Sequence, residues 1–208
     1  MSTFQLDSAR RSAARTTAPA FAPLEPPFAP DLNEVLTKWM PPGLNMQALA
    51  LLRLLVGHAD LASRIWPMAS GLIAKGLLPE RDRELLIGRV TARLGAEYEW
   101  GIHCVAYARR AGLSGEQLYA TVHGAHDDPA FSGGDYPEAA LLVRAADELM
   151  DDSQLARATR EALLAFRSLA QIIELHLLCG WYRTLATLIG SAELGPEDWA
   201  ARLPKVEV

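Results

Sequence analysis

The sequence predicts an all-α fold, a bundle of seven to nine helices, on three observations. Ala and Leu, both strong helix formers, dominate the chain after residue 43. No run shows the sustained Val/Ile/Thr alternation of a strand. The punctuation between apolar segments is that of helix ends, with Ser-x-x-Gln boxes ahead of them and glycines behind.

Seven of the thirteen prolines precede residue 43. Residues 1–44 therefore read as an extended, Pro-rich arm that cannot pack on itself and is expected to lie along its own domain or a neighbouring subunit. Residues 45–194 read as one all-α domain, and residues 195–208 as a turn (Gly195-Pro196) and a ragged tail. Within the domain, Asn45 caps a helix from Met46 to about Gly57. A second runs from about Asp60 to Lys75, with Pro67 as an early break and Gly76 as its end. Pro79, followed by Glu80 and Asp82, starts a third through Leu94, which Gly95 breaks. A fourth covers Glu97 to Ala111 and stops at Gly112. Ser114 with Gln117 is a capping box that opens a fifth. Residues 124–135 form a polar, Gly-rich loop. Asp135 with Glu138 opens a helix to about Met150, residues 155–166 form the next, and Ser168 with Gln171 opens a long last helix to about Ile189.

Several of these helices are apolar around much of their circumference. Helices of that kind need more partners than a small monomer offers, so a homo-oligomer (dimer, trimer or hexamer) is expected. The 208 residues, half hydrophobic and 22% charged, have globular composition and suffice for one domain with its own core. Twenty basic against twenty-five acidic residues give a net charge of −5, which argues against nucleic acid as a partner. No stretch approaches the roughly 18 uninterrupted apolar residues of a spanning helix, so no membrane partner is expected. Residues 1–30 lack the apolar core of a secretory signal. The two cysteines, Cys104 and Cys179, suit a reducing compartment, and a cytoplasmic location is expected.

The most polar cluster in an otherwise apolar pattern is Glu97-Tyr98-Glu99-Trp100-Gly101-Ile102-His103-Cys104. On a helix, Glu99 and His103 are four apart and share a face, whereas Glu97 and Tyr98 sit on others. In the preceding helix Leu85, Leu86, Ile87 and Val90 read as core, which leaves Glu84 as a carboxylate at the edge of an apolar stripe. Antiparallel helices joined near Gly95 bring Glu84 back against Glu99 and His103. Two carboxylates around one imidazole, walled by apolar residues, make a site of shifted proton affinities. The second carboxylate resists ionising near the first, and an imidazole held in one tautomer exchanges a proton near neutral pH. The same spacing also serves as an ordinary surface contact between helix neighbours. As metal ligands the three lack an evident further partner, and no metal is expected.

Other polar groups read more blandly. His123, His126, Asp127 and Asp128 fall at a helix end and in a solvated loop. His176 and Cys179 lie three apart on the last helix, followed by Trp181 and Tyr182, as core or as support for the same cavity. Tyr98 and Trp100 flank the motif as core or as pocket wall. His58 reads as a helix cap, and Trp39 and Trp66 as packing residues.

Arg83-Glu84-Leu85, then Glu97-Tyr98-Glu99-Trp100 with His103, then Ala111-Gly112-Leu113-Ser114 resemble the carboxymuconolactone decarboxylase and alkylhydroperoxidase D superfamily. The resemblance is densest from about Leu77 to Leu118. It continues more loosely through Ala145-Ala146-Asp147-Glu148-Leu149 and Ile173-Glu174-Leu175 with Gly180-Trp181-Tyr182. It implies the helical bundle of that superfamily. The hydroperoxidase branch carries a Cys-x-x-Cys-x-x-x-His helix, with a Glu on the helix before it. Aligning its His with His103 puts the cysteines at Ala96 and Glu99 and that Glu on Glu84. Both cysteines are absent, and Cys104 is on the wrong face to replace either, so thiol peroxidase chemistry lacks its dithiol.

The resemblance thus implies the decarboxylase-type branch, in which a carboxylated unsaturated lactone loses carbon dioxide. The substrate is its own electron sink, so no metal or organic cofactor is implied. His103 is then the proton donor or oxyanion partner, Glu99 relays or holds the proton, and Glu84 orients His103. Tyr98, Trp100, Cys104, His176 and Tyr182 are the candidate pocket residues. The same constellation would serve an isomerase that takes a proton next to a carbonyl. A hydroperoxide-reducing or antioxidant protein, or a non-catalytic helical oligomer that kept the fold, are the alternatives.

Overall fold

The computed structural model describes residues 21–40, 46–132 and 135–205. Among the described residues there are nine α-helices and no strand. The chain divides into two compact units, Met1–Ala69 and Ser70–Val208, whereas the sequence places its boundary at residue 44. The proposed cap Asn45 and residues 1–20 of the arm lie outside the described residues.

In the first unit, α1 (Pro30–Trp39) corrects the extended arm. Pro30 stands at the first helical position, where its missing N–H costs nothing, and Asp31 follows in the first turn. Leu32 and Leu36, four apart, bury one face of it. Helix α2 is shorter than expected, Ala50–Leu55, and passes into a 3₁₀ turn at Val56–His58. Arg53 ties this region to the segment before α1, donating to Leu24 O at 2.7 Å and to Glu25 at 2.6 Å. Trp39 stacks on Trp66 with ring centroids 4.4 Å apart. His58 accepts the Leu61 N–H at 3.4 Å, capping the start of α3 (Ala59–Ala74). That helix continues through Pro67, which forgoes one backbone bond without ending it.

The second unit is organised around α4 (Glu80–Arg93), which packs against α5 (Glu97–His103), α6 (Gly115–His123), α7 (Ala139–Asp151) and α9 (Leu169–Ser191). Every residue from Asp82 to Thr91 is buried, so the middle of α4 has no solvent face. Its polar side chains survive burial because each is paired. Asp82 accepts from Arg167 (2.8 Å) and Tyr136 (2.9 Å). Arg89 grips Asp147 with two bonds of 2.6 and 2.9 Å and also donates to the Thr121 and Gly124 carbonyls. Glu84, expected at the edge of a stripe, therefore sits in the middle of the helix, where it is buried all round.

Gly95 turns the chain between α4 and α5 with φ +64°, in the left-handed region that favours glycine. The fourth expected helix is split: α5 ends at His103, and residues Cys104–Ala108 form a π turn before Gly112 (φ +86°) stops the element. The Ser114/Gln117 and Ser168/Gln171 capping boxes are both formed. The Asp135/Glu138 box is not: α7 has no side-chain cap, and Asp135 instead pairs with Arg81 at 3.0 Å. A short helix, α8 (Arg157–Leu164), precedes α9.

The tail is a strap rather than a ragged end. Tyr98 donates to Glu197 (2.5 Å), the Leu203 N–H to Glu97 (2.9 Å) and the Ala201 N–H to the Gly101 carbonyl (3.3 Å). The strap lies so close to α5 that a Cβ at Gly101 would stand 2.1 Å from the Ala201 carbonyl oxygen. By length and composition α9 is apolar enough to cross a membrane, with mean hydropathy 1.2. It packs on α4, α7 and α8 through Ile172, Leu175, Leu178, Tyr182, Leu185 and Ile189. Its outer line, Leu169, Ile173 and Leu177, is exposed.

Candidate functional site

The tight turn at Gly95 folds α5 back along α4 and brings the three predicted residues together. Glu84 Oε2 is 2.7 Å from His103 Nδ1, and Glu99 Oε2 is 3.7 Å from His103 Nε2. All three residues are at least 95% buried. The second oxygen of Glu84 accepts from Arg83 Nε at 2.8 Å, and Arg83 reaches Glu80 at 3.2 Å. Burial alone would push the Glu84 carboxyl up. His103 and Arg83, through charge and hydrogen bonds, outweigh it and hold the group below the usual glutamate range. Glu84 is thus the ionised partner. Glu99 is pushed the other way by burial, which its more distant contact with His103 offsets only in part. The two carboxylates differ in proton affinity because one has a cation and an imidazole N–H in contact and the other has neither.

An ionised Glu84 fixes the imidazole. It accepts the Nδ1–H, so Nε2 of the neutral ring is left as an acceptor. Tyr182 on α9 fills it, its hydroxyl 2.7 Å from Nε2 and its ring edge-on to the imidazole at 5.1 Å. Tyr107, in the π turn, stacks on the imidazole with ring centroids 5.0 Å apart, and Arg110 stands over the Tyr107 ring. The imidazole therefore has its plane set by Tyr107, one nitrogen by Glu84 and the other by Tyr182.

The candidate pocket residues divide. Tyr182 is in the site. Cys104 is buried beside it, and burial with the nearby Glu84 charge pushes its thiol up to about 12. Tyr98 and Trp100 are not in it: Tyr98 binds Glu197 of the strap, and Trp100 donates to Thr121 on α6 at 3.1 Å. Both are one or more positions off the Glu99/His103 line of a seven-residue helix, so they face other neighbours. His176 is also elsewhere: it is on the exposed side of α9, with Nδ1 against the Ile172 carbonyl at 2.7 Å. Cys179 is buried core, its thiol also pushed up to about 12 by burial. In the expected loop, Pro129–Phe131 form a 3₁₀ turn, and His123 bonds the Pro204 carbonyl at 2.8 Å.

Sequence reasoning missed Arg83 as the partner of Glu84, although the residue stood in the motif. It also missed Tyr107. Four residues from His103, Tyr107 had the right spacing to share its face, but nothing in the pattern marked it as more than core.

Residues 59–132 match the model of the Carboxymuconolactone decarboxylase family. No curated protein and no solved structure matches the chain. The matched segment begins at α3, ends just after the Pro129–Phe131 turn, and holds Glu84, Glu99, His103 and Tyr107 but not Tyr182. Over this segment the chain is similar to the carboxymuconolactone decarboxylase family, the family its motifs resemble.

Proposed function

We propose that this protein is a cofactor-independent proton-transfer enzyme of the carboxymuconolactone decarboxylase type, acting on a small carboxylated lactone or unsaturated carbonyl acid. One observation carries the reading: His103 is held between an ionised carboxylate on Nδ1 and a polar edge on Nε2. That is the arrangement of a general acid–base, fixed in one tautomer and able to become imidazolium against Glu84. When such a substrate loses carbon dioxide, the electron pair of the broken C–C bond passes through the double bond to the carbonyl, giving a dienolate. A proton must then reach carbon. His103 as imidazolium is the source of that proton, and the Glu99 carboxyl, whose proton affinity burial raises, stands 3.7 Å from the same edge, where the oxyanion would develop. The surroundings of Cys104 work against the hydroperoxide-reducing alternative, because the attacking species there is a thiolate.

The test is carbon dioxide release from carboxymuconolactone and related unsaturated lactone acids by wild type and by His103→Gln. Glutamine keeps hydrogen-bonding groups between Glu84 and Tyr182 but cannot exchange a proton. The variant is expected to lose roughly 100-fold or more in kcat. Turnover retained within about threefold removes His103 from the mechanism.

A further inference from the structure

We propose that Tyr182 is a catalytic residue of this site, the proton carrier that touches the substrate, with His103 behind it as the group that recharges it. The inference rests on the proton-transfer reading above. Both imidazole nitrogens are taken, Nδ1 by Glu84 and Nε2 by the Tyr182 hydroxyl, each at 2.7 Å. A reactant therefore finds no free nitrogen. It finds a phenol oxygen at the end of a chain that runs carboxylate, imidazole, hydroxyl, the order in which a hydroxyl is activated by relay. The burial is lopsided along this chain. The Glu84 side chain is 0% exposed, whereas those of Glu99 and His103 keep 7% and 6%. Tyr182 itself keeps 3%.

The hydroxyl is not placed there by helix register. Tyr182 comes from α9, 79 residues beyond His103, and its ring meets the imidazole edge-on at 84°. Tyr107 stacks on the same imidazole at 28°, which fixes the plane in which Nε2 points at the phenol. The proton balance closes in both directions. In abstraction, a substrate C–H proton passes to the Tyr182 oxygen as the phenol's own proton passes to Nε2, and the C–H electron pair delocalises into the carbonyl. The imidazolium so formed lies against the Glu84 carboxylate. In protonation of a dienolate the two transfers reverse. No bond forms to the protein and no electrons leave the substrate. Burial and the neighbouring carboxylates Glu99 and Glu84 push the Tyr182 hydroxyl well above its ordinary range, so the phenol passes its proton on only as it receives another.

The experiment compares full-length wild type with Tyr182→Phe, which keeps the ring and removes only the oxygen. Carbon dioxide release from carboxymuconolactone and deuterium uptake from D2O by an unsaturated lactone are followed, with kcat and KM separated, and the His103 imidazole is observed by 15N NMR. The expected result is a kcat roughly 100-fold lower or more, KM within about threefold, and the Nδ1–H signal of His103 retained. A kcat within about threefold of wild type overturns the role of Tyr182 and leaves the proton-transfer reading standing. Loss of the Nδ1–H signal along with activity also overturns it, because the hydroxyl then only holds the ring. A wild type silent in both assays overturns the proton-transfer reading and this inference with it.

Discussion

Replacing Glu84 with glutamine alters almost no volume and tests the electrostatic core of the site. The carboxylate makes two short bonds in a fully buried position, from His103 Nδ1 at 2.7 Å and Arg83 Nε at 2.8 Å. The amide can still accept from Arg83 through its oxygen, but its NH2 then faces Nδ1. The imidazole must move its proton to Nε2 to accept there. Hydrogen bonds to a charged group contribute about 1.5–3 kcal/mol against about 0.5–1.5 for neutral pairs, so weakening two of them costs roughly 2–3 kcal/mol. At about 2–4 °C per kcal/mol for a chain of this size, Tm falls by roughly 4–12 °C. The sign of the pH dependence follows from Glu84 binding its proton more weakly when folded. Its contribution is present above the ordinary glutamate range and lost as pH falls through its lowered value, so the gap between wild type and variant narrows in acid. Calorimetry across pH reads the stability, and imidazole 15N shifts read the tautomer. A variant with Tm within about 1 °C of wild type and the proton still on Nδ1 would refute the reasoning.

Glu99→Gln should act in the opposite sense. Burial raises the proton affinity of Glu99 in the fold, so its stability contribution is present below the ordinary glutamate range and is lost as pH rises through the raised value. The variant is expected to melt above wild type at about pH 8, with the advantage gone near pH 4, and a penalty equal at both pH values would contradict this. Cys104, buried and with its thiol pushed up to about 12, should resist iodoacetamide in the native protein at pH 8 and react once the protein is denatured. Cys104→Ser should keep carbon dioxide release; its loss would favour thiol chemistry.

What could be read from the sequence was whatever rests on neighbours along the chain. The Ser114 and Ser168 boxes formed because the serine hydroxyl and the glutamine three residues on bond each other's backbone, whatever else packs nearby. Glu99 and His103 met by helical spacing, and Glu84 joined them because Gly95 allows a tight return. The failures are tertiary. Asp135 had the right offset from Glu138, but Arg81 took its carboxylate. Tyr98, Trp100 and His176 are aromatic groups whose type says nothing about which neighbour they face. The π turn after His103 has no composition signal, and it broke the single helix expected from Glu97 to Ala111.

The strap along α5 has a consequence for how the site is held. Seven residues are too few to hold a helix alone. The bonds from Glu97 and Tyr98 to the strap close loops of 106 and 99 residues. Loops of that length close at an entropic cost. The geometry at Glu99 and His103 thus leans on the far end of the chain, because the short helix that carries both is fastened at Glu97, Tyr98 and Gly101 by residues 197–203.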